Sequence, residues 1–293
     1  MELVFIVNEA SGGGARVWAY IERSVTRRYT LYKTAYRHHA TEIVAKLAAQ
    51  NEPLCIVVIG GDGTIHEVIT AAIEHTHLII GAFCAGSGND FARAFSTFST
   101  VQQLEAWYAH TATRVQDAGM LGQHVFMNNA GIGFDAYVVK LANKSKLKRM
   151  LNRVRLGKLS YVYFLMRGVL TYQTTDIVIN DTTYKNVWFV TFSNQPYFGG
   201  GMKISPHSKT DDGMLECTIV HELSRFKLLA MFITVFWGGH TRFQEVTQQR
   251  SHTFTVQLTK PLVSHVDGEA FIMNDEHVHI QVKQHSWHNV QNE

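Results

Sequence analysis

The chain opens with a run of apolar residues, Leu3 to Val7, that stops at Asn8. Apolar runs of this length, closed by turn residues, read as buried strands. Leu54 to Ile59 and Leu78 to Ala82 repeat the pattern, and Tyr29 to Ala35 reads as a further strand ending at Thr34. Between these runs the spacing becomes helical. Val17, Ile21 and Val25 stand four apart, Ile43, Val44 and Leu47 share one face of His39 to Gln50, and Ile65 to Glu74 resumes the helical period. Strands alternating with helices to about residue 110 predict a parallel, doubly wound α/β sheet. Its strand ends carry Ser11-Gly-Gly-Gly14, Gly60-Gly-Asp-Gly-Thr64 and Gly86-Ser-Gly-Asn-Asp-Phe-Ala-Arg93. Ligands of such sheets sit beyond the carboxyl ends of the strands, so the three loops are expected to converge.

After about Ala118 the pattern changes. Val125 to Ala130, Thr175 to Asn180, Thr182 to Ser193, Met214 to Val220, His252 to Thr259 and His277 to Val282 are β-rich and partly alternating. Asn180-Asp181 reads as a hairpin turn, and helical stretches remain near 144–172 and 224–237. These features predict an α/β domain over residues 1–118 and a β-rich, antiparallel, sandwich-like domain over 119–283, joined near Asp117. The extreme C-terminus, about 284–293, is placed to pack back onto the first domain.

Composition narrows the class. The 293 residues have the apolar and charged fractions of a globular protein, and a net charge of +3 is too small to imply nucleic acid. Cys55, Cys84 and Cys217 lie far apart in apolar settings with no metal spacing, which fits reduced cysteines of a cytoplasmic protein. The N-terminus lacks the basic region of a signal peptide, and the most apolar segment, Phe226 to Trp237, is too short to span a bilayer. Trp18, Trp107, Trp188 and Trp237 read as core aromatics, and His277 and His279 as the wet face of a strand.

The Gly60–Thr64 loop carries the sharpest chemistry. Glycines let backbone approach a polyphosphate, and the helix behind them offers free N–H groups and a positive dipole end. Asp62 would repel phosphate but suits Mg²⁺ beside it. The plain alternative is an ordinary strand-turn-helix with a surface Asp.

With Asn8-Glu-Ala-Ser-Gly-Gly-Gly14 and the loops at 60–64 and 86–93, the chain resembles the bacterial diacylglycerol kinase-type lipid kinases, relatives of diacylglycerol and sphingosine kinase catalytic domains. Phe126-Met-Asn-Asn-Ala-Gly-Ile-Gly-Phe-Asp-Ala136, Gly199-Gly-Gly-Met-Lys-Ile-Ser-Pro206, Asp211-Asp-Gly-Met-Leu215 and Asp267-Gly-Glu269 extend the likeness along nearly the whole chain. Glu9, Ala15 and Arg16 depart from the family pattern, which has Pro after the Asn and Lys after the last Gly. Ser87 stands where the family usually has Thr. The resemblance implies an NAD kinase/phosphofructokinase-like nucleotide domain. It implies ATP contacts from Asn8, Ser11, Gly12, Thr34, Gly60, Gly61, Asp62, Gly63, Thr64, Glu67, Ser87 and Asn89. It implies a structural Mg²⁺ on the Asp212 carboxylate and the main-chain carbonyls of Lys209 and Met214. Glu269 would be the general base for a lipid hydroxyl, that of diacylglycerol or a related lipid alcohol.

Phosphoryl transfer asks for positioning and charge neutralisation. Asp90 and Arg93, one helical turn apart, suit a cleft where Arg93 either stabilises transferring charge or holds Asp90 in place. Glu269 equally fits a plain hairpin turn, and Asp212 a turn with or without metal. Between Asp135 and Asp176 there is no acidic residue, while Lys140, Lys144, Lys146, Lys148, Arg149, Arg153, Arg155, Lys158 and Arg167 fall there. Leu147, Met150, Leu151 and Val154 form an apolar stripe among them. This is the pattern of a helix on an anionic membrane, or of a solvated basic face. The expected partners are a lipid substrate and such a membrane surface, with no nucleic acid, for a cytoplasmic and peripherally membrane-associated protein. The oligomeric state stays open, a homodimer included. The rivals are an NAD kinase, which shares the Gly-Gly-Asp-Gly-Thr loop, and a catalytically silent lipid- or nucleotide-binding regulator.

Overall fold

The computed structural model describes residues 1–86, 88–144 and 157–292. Ser87 and the stripe Leu147, Met150, Leu151 and Val154, with Lys146, Lys148, Arg149, Arg153 and Arg155, lie outside the described residues.

The first half builds a parallel sheet from β1 (Glu2–Val7), β2 (Thr30–Lys33), β3 (Leu54–Gly60) and β4 (Leu78–Cys84), in the order β4-β3-β1-β2. Side chains alternate across the sheet, so each face gathers its own core. Val4, Ile6, Ile56, Val58 and Ile80 pack under α2 (His39–Ala48) and α3 (Asp62–Ala72). Phe5, Val7, Val57, Ile59 and Phe83 pack against Trp18 and Ile21 of α1 (Gly14–Ser24) and Leu104 and Trp107 of α5 (Val101–His110). Thr100 caps α5 through a reciprocal pair with Gln103, so this helix starts where its first orphan N–H groups find partners. The short α4 (Phe91–Ala94) follows the third loop.

The second half is antiparallel. β7 (Asn129–Gly133), β9 (Thr182–Ser193), β8 (Thr175–Ile179) and β14 (Thr253–Leu258) are neighbours. β12 (Leu215–His221) pairs with β9 and β13 (Val246–Ser251). β15 (Leu262–Val266) and β16 (Glu269–Met273) form a hairpin beside β7. Helices α6 (Phe134–Lys144), α7 (Gly157–Thr171) and α8 (Arg225–Thr234) cover one side around Phe134, Phe164, Trp188 and Met231. The hairpin turn at Asn180-Asp181 has φ of 47° and 65° at its two residues, the left-handed pair that Asn and Asp tolerate.

One strand joins the halves. β17 (His277–Val290) pairs with β14 at its start and β4 at its end, and β5 (Thr113–Leu121) lies along its other edge. Trp287 is fully buried against Phe91 and Phe95, so the chain's last strand becomes part of the first core. Asp117, also fully buried, accepts N–H groups from Gly213 and His285 at 2.7 and 2.8 Å, binding the junction through charge-assisted bonds.

Two sequence expectations are corrected. The β-rich stretch Val125 to Ala130 is two strands, β6 (His124–Phe126) and β7, broken because the Met127 and Asn128 N–H groups turn to a carboxylate instead of a ladder. Trp18, Trp107 and Trp188 are buried, but Trp237 is 63% exposed. It follows Val235 and Phe236 in a short 3₁₀ turn in which Val235 faces the interior.

Candidate active site

The three glycine loops meet backbone to backbone. Gly13 N–H donates to Ala85 O at 2.9 Å, and Ala85 N–H donates to Gly60 O at 2.7 Å. Gly86 lies so close to Gly61 that a Cβ on it would stand 2.7 Å from the Gly61 Cα. Asn8 ties the first loop to the second, its amide donating to Thr64 Oγ1 at 2.9 Å while its Oδ1 accepts Ala10 and Ser11 N–H. The Ser11 hydroxyl donates back to Asn8 O. Gly12, Gly63 and Arg16 remain exposed at the rim. Thr34 continues β2, its N–H on Val7 O at 2.9 Å.

Asp62 starts α3, and its Oδ1 accepts the Phe91 N–H at 3.1 Å, so the second loop also caps the third. Asn89, at φ 53°, holds a buried Oδ1 without a protein partner among the described residues. Asp90 is buried. Its Oδ1 accepts Arg93 Nη1 at 3.0 Å and its Oδ2 accepts Gly200 N–H at 2.7 Å, bringing the 199–201 loop of the second half onto the third glycine loop. Burial raises the Asp90 pKa and the Asp62 charge adds to this, against the Gly200 N–H bond and the Arg93 charge.

Glu67 behaves as a bracket. Its carboxylate accepts His38 and Ala40 N–H at 3.0 and 3.3 Å and so fixes the loop between β2 and α2. That loop carries Arg37, whose Nη2 lies 2.6 Å from Glu269 Oε2.

Asp267 and Gly268, at φ 44° and 84°, form the two-residue turn of the β15–β16 hairpin. The Asp267 carboxylate, 1% exposed, accepts N–H groups of Met127, Asn128 and Asn129 at 2.9, 2.9 and 3.0 Å. His66 Nδ1 of α3 lies 2.8 Å from its Oδ2. Burial opposes charge on both partners, yet each partner's hydrogen bond and charge overcome it. The His66 pKa is raised and the Asp267 pKa lowered. Asp267 thus pins Glu269 to the helix that begins with Asp62.

Two strand positions before Asp267, fully buried His265 Nε2 lies 3.2 Å from Asp135 Oδ2, which also accepts the Thr191 hydroxyl at 3.1 Å. Gly131 permits this approach, since a Cβ there would stand 1.9 Å from Asp135 Oδ2. Asp135 closes the polar end of a narrow apolar cleft lined by Phe134, Val138, Val169, Phe189, Leu228 and Met231. His66, Asp267, Arg37, Asp135 and His265 were not singled out in the sequence as site residues. The only signal was that Asp135 and Asp267 fall inside motifs quoted for their neighbours.

The Asp212 loop is closed by charge. Arg250 pairs with Asp212 Oδ2, Met214 N–H donates to its Oδ1 at 3.1 Å, and Arg114 pairs with Asp211. Two guanidinium groups neutralise the two carboxylates, and Arg250 stands where a cation would meet Asp212. Among the described residues no cluster of three metal-ligating side chains forms. The expected Mg²⁺ set, one carboxylate with two main-chain carbonyls, is not a cluster of that kind, and here the Asp212 carboxylate is engaged by Arg250. Lys209 is exposed and Met214 half-buried. At the glycine loops a single carboxylate, Asp62, suits Mg²⁺ arriving with phosphates, since that ion usually takes one or two carboxylates plus substrate oxygens.

Converging glycine loops over a parallel sheet, facing a carboxylate-bearing hairpin from a β-rich half, define a two-part kinase of the diacylglycerol kinase type. Residues 2–120 match the diacylglycerol kinase catalytic domain, and residues 128–282 match the YegS C-terminal NAD kinase beta sandwich-like domain. The chain belongs to this family of diacylglycerol kinase-like lipid kinases, which are phosphotransferases. It is 29% identical over 286 residues to the Bacillus subtilis (strain 168) protein named "Putative lipid kinase YtlR", covering 90% of this chain and 92% of that one. It is 28% identical over 232 residues to a diacylglycerol kinase of Mycobacterium tuberculosis (strain ATCC 25618 / H37Rv), covering 75% and 72%. A solved structure of a diacylglycerol kinase from Bacillus anthracis str. Sterne superimposes with a TM-score of 0.69 at 16% identity, covering 99% and 97%. An Archaeoglobus fulgidus NAD kinase in complex with ATP shares the fold at a TM-score of 0.54 and 8% identity, covering 100% and 94%. No helix among the described residues is long and apolar enough to cross a membrane.

Proposed function

We propose that the chain transfers the γ-phosphate of ATP to the hydroxyl of diacylglycerol or a related lipid alcohol, in the cleft between a nucleotide part ending near residue 118 and a β-rich lipid part. One observation carries the reading. The β15–β16 hairpin places His265 at the polar end of the apolar cleft and, two and four residues on, Asp267 on α3 and Glu269 beside Arg37. A lipid whose acyl chain lies in the cleft would present its headgroup hydroxyl toward Glu269.

In this reading the backbone N–H groups of Gly60 to Thr64 and the exposed edge of Gly12 hold the phosphates, with Asn8 and Thr64 fixing loop spacing. Mg²⁺ held through Asp62 would neutralise phosphate oxygens. Glu269 accepts the acceptor's proton as the oxygen attacks. Arg93, held by Asp90 and the Gly88 carbonyl, stands at the rim where charge transfers. Basic residues such as Lys140 and Arg167 favour an anionic membrane as the meeting place.

The test is transfer of labelled phosphate from ATP with Mg²⁺ to a panel of diacylglycerol, other lipid alcohols and NAD in mixed micelles. Label in phosphatidic acid supports the reading, and label in another lipid changes only the acceptor. Label in NAD, or none with ATP still bound, overturns it.

A further inference from the structure

We infer that the outer face of α8 and the 3₁₀ turn after it inserts into an anionic lipid bilayer. The inference rests on the lipid-kinase reading for its purpose, but not for its geometry.

α8 is apolar on both sides. Its inner residues Leu228, Met231 and Phe232 and, in the turn after it, Val235 line the apolar cleft. The outer residues Phe226, Ala230 and Ile233 and, in that turn, Trp237 follow at spacings of four, three and four, and all are exposed. Phe226 is 87% and Ile233 62% exposed. A helix apolar all round is ordinarily buried on all sides. Here one side faces the cleft and the other faces outward.

The exposed apolar residues are clustered rather than scattered. Seven of the eleven large exposed hydrophobic residues among those described lie on α7, α8 and the 3₁₀ turn, including Met166, Leu170 and Phe236. Single exposed apolar residues are normal, whereas a contiguous patch marks a partner. α7 and α8 meet at the patch, where Arg225 Nη1 donates to Leu170 O at 2.8 Å.

Charge identifies the partner as an anionic bilayer. No Asp or Glu lies between Leu223 and Phe243, while Arg225, Lys227 and Arg242 do, and exposed Arg167 joins them from α7. Lys227 is paired with Glu245. An apolar stripe with aromatic residues at both ends and cations at its rim suits the boundary between headgroups and acyl chains. Seated there, α8 would separate the bilayer from the cleft by one helix, and a lipid could enter without crossing water.

The test uses vesicles of phosphatidylcholine with phosphatidylglycerol, lacking diacylglycerol and ATP, so it reads the surface and not the reaction. The triple variant Phe226→Ser, Ile233→Ser, Trp237→Ser should lose at least tenfold in vesicle co-sedimentation while ATP binding stays unchanged. Brominated acyl chains should quench tryptophan fluorescence, and Trp237→Phe should remove most of that quenching. Co-sedimentation of the triple variant equal to the parent's overturns the proposal. So does a dimer in ultracentrifugation that the triple variant alone abolishes with vesicle binding intact, since the stripe would then seat a second copy. Vesicle binding by a protein that phosphorylates no lipid would instead remove the kinase reading and leave this surface standing.

Discussion

Arg37 and Glu269, 232 positions apart in sequence, meet at 2.6 Å between Nη2 and Oε2. One comes from the loop bracketed by Glu67, the other from the hairpin pinned by Asp267. Both side chains are partly exposed, so the pair contributes little to stability. Its consequence is positional, because it ties the Glu269 carboxylate to the loop between β2 and α2. Arg37→Ala should lower kcat several-fold with the melting temperature unchanged. In a double-mutant cycle, Arg37→Ala should cost nothing further once Glu269→Gln is present. Additive losses would separate Arg37 from Glu269.

Glycine spacing gives a steric prediction. Gly86→Ala places a Cβ 2.7 Å from the Gly61 Cα, and backbone cannot yield as a flexible side-chain end does. ATP affinity should fall at least tenfold, and thermal stability should fall with it. Gly63→Ala meets nothing within 4 Å, so its melting temperature should match the parent's. Titration with ATP and a thermal melt of both variants check this.

The His66–Asp267 contact makes stability depend on pH. The raised His66 pKa gives a stabilisation complete below its ordinary 6.5 and lost as pH rises through the higher folded value. The lowered Asp267 pKa gives one present above its ordinary 3.8 and lost as pH falls through the lower folded value. The pair is therefore strongest between those two ordinary values. His66→Asn should cost about 1.5–3 kcal/mol in that window and much less at pH 9. Denaturant unfolding across pH measures it, and an equal cost at both pH values would refute the coupling.

The Asp211–Asp212 loop should not need a metal. Chelator should leave the melting temperature of the nucleotide-free protein unchanged, because Arg114 and Arg250 already neutralise the loop. Arg250→Ala should cost about 1 kcal/mol or less, as expected of a partly exposed pair. A marked drop in melting temperature with chelator alone would reverse this.

Trp287 tests the joining strand. It is 1% exposed and packs on Phe91 and Phe95, so Trp287→Ala should cost about 3–5 kcal/mol. Calorimetry would measure the loss.

What was legible in the sequence was local. β1, β3 and β4 announce themselves as apolar runs, and the glycine loops as breaks in them, because strand burial and turn geometry are written in adjacent residues. The contacts that complete the site are not local. His66 meets Asp267 across 201 positions, and no spacing rule reaches that far. The end of β17 was hidden because Ser286, His288 and Asn289 are polar. Ser286 and Asn289 belong in the core only because Asn289 donates to Ile80 O and Ser286 to Gln116 O, while His288 stays half-buried. Trp237 was misplaced since apolar periodicity cannot tell a face that meets protein from a face that meets something else.

The most direct measurement is single-turnover transfer of labelled γ-phosphate to diacylglycerol, with ATP binding measured on the same samples, for the parent and Glu269→Gln. The expected result is unchanged ATP affinity with transfer slowed about 10²–10⁴-fold, the loss of a general base. Transfer by Glu269→Gln at the parent rate would contradict the role given to this hairpin and move the base elsewhere in the cleft.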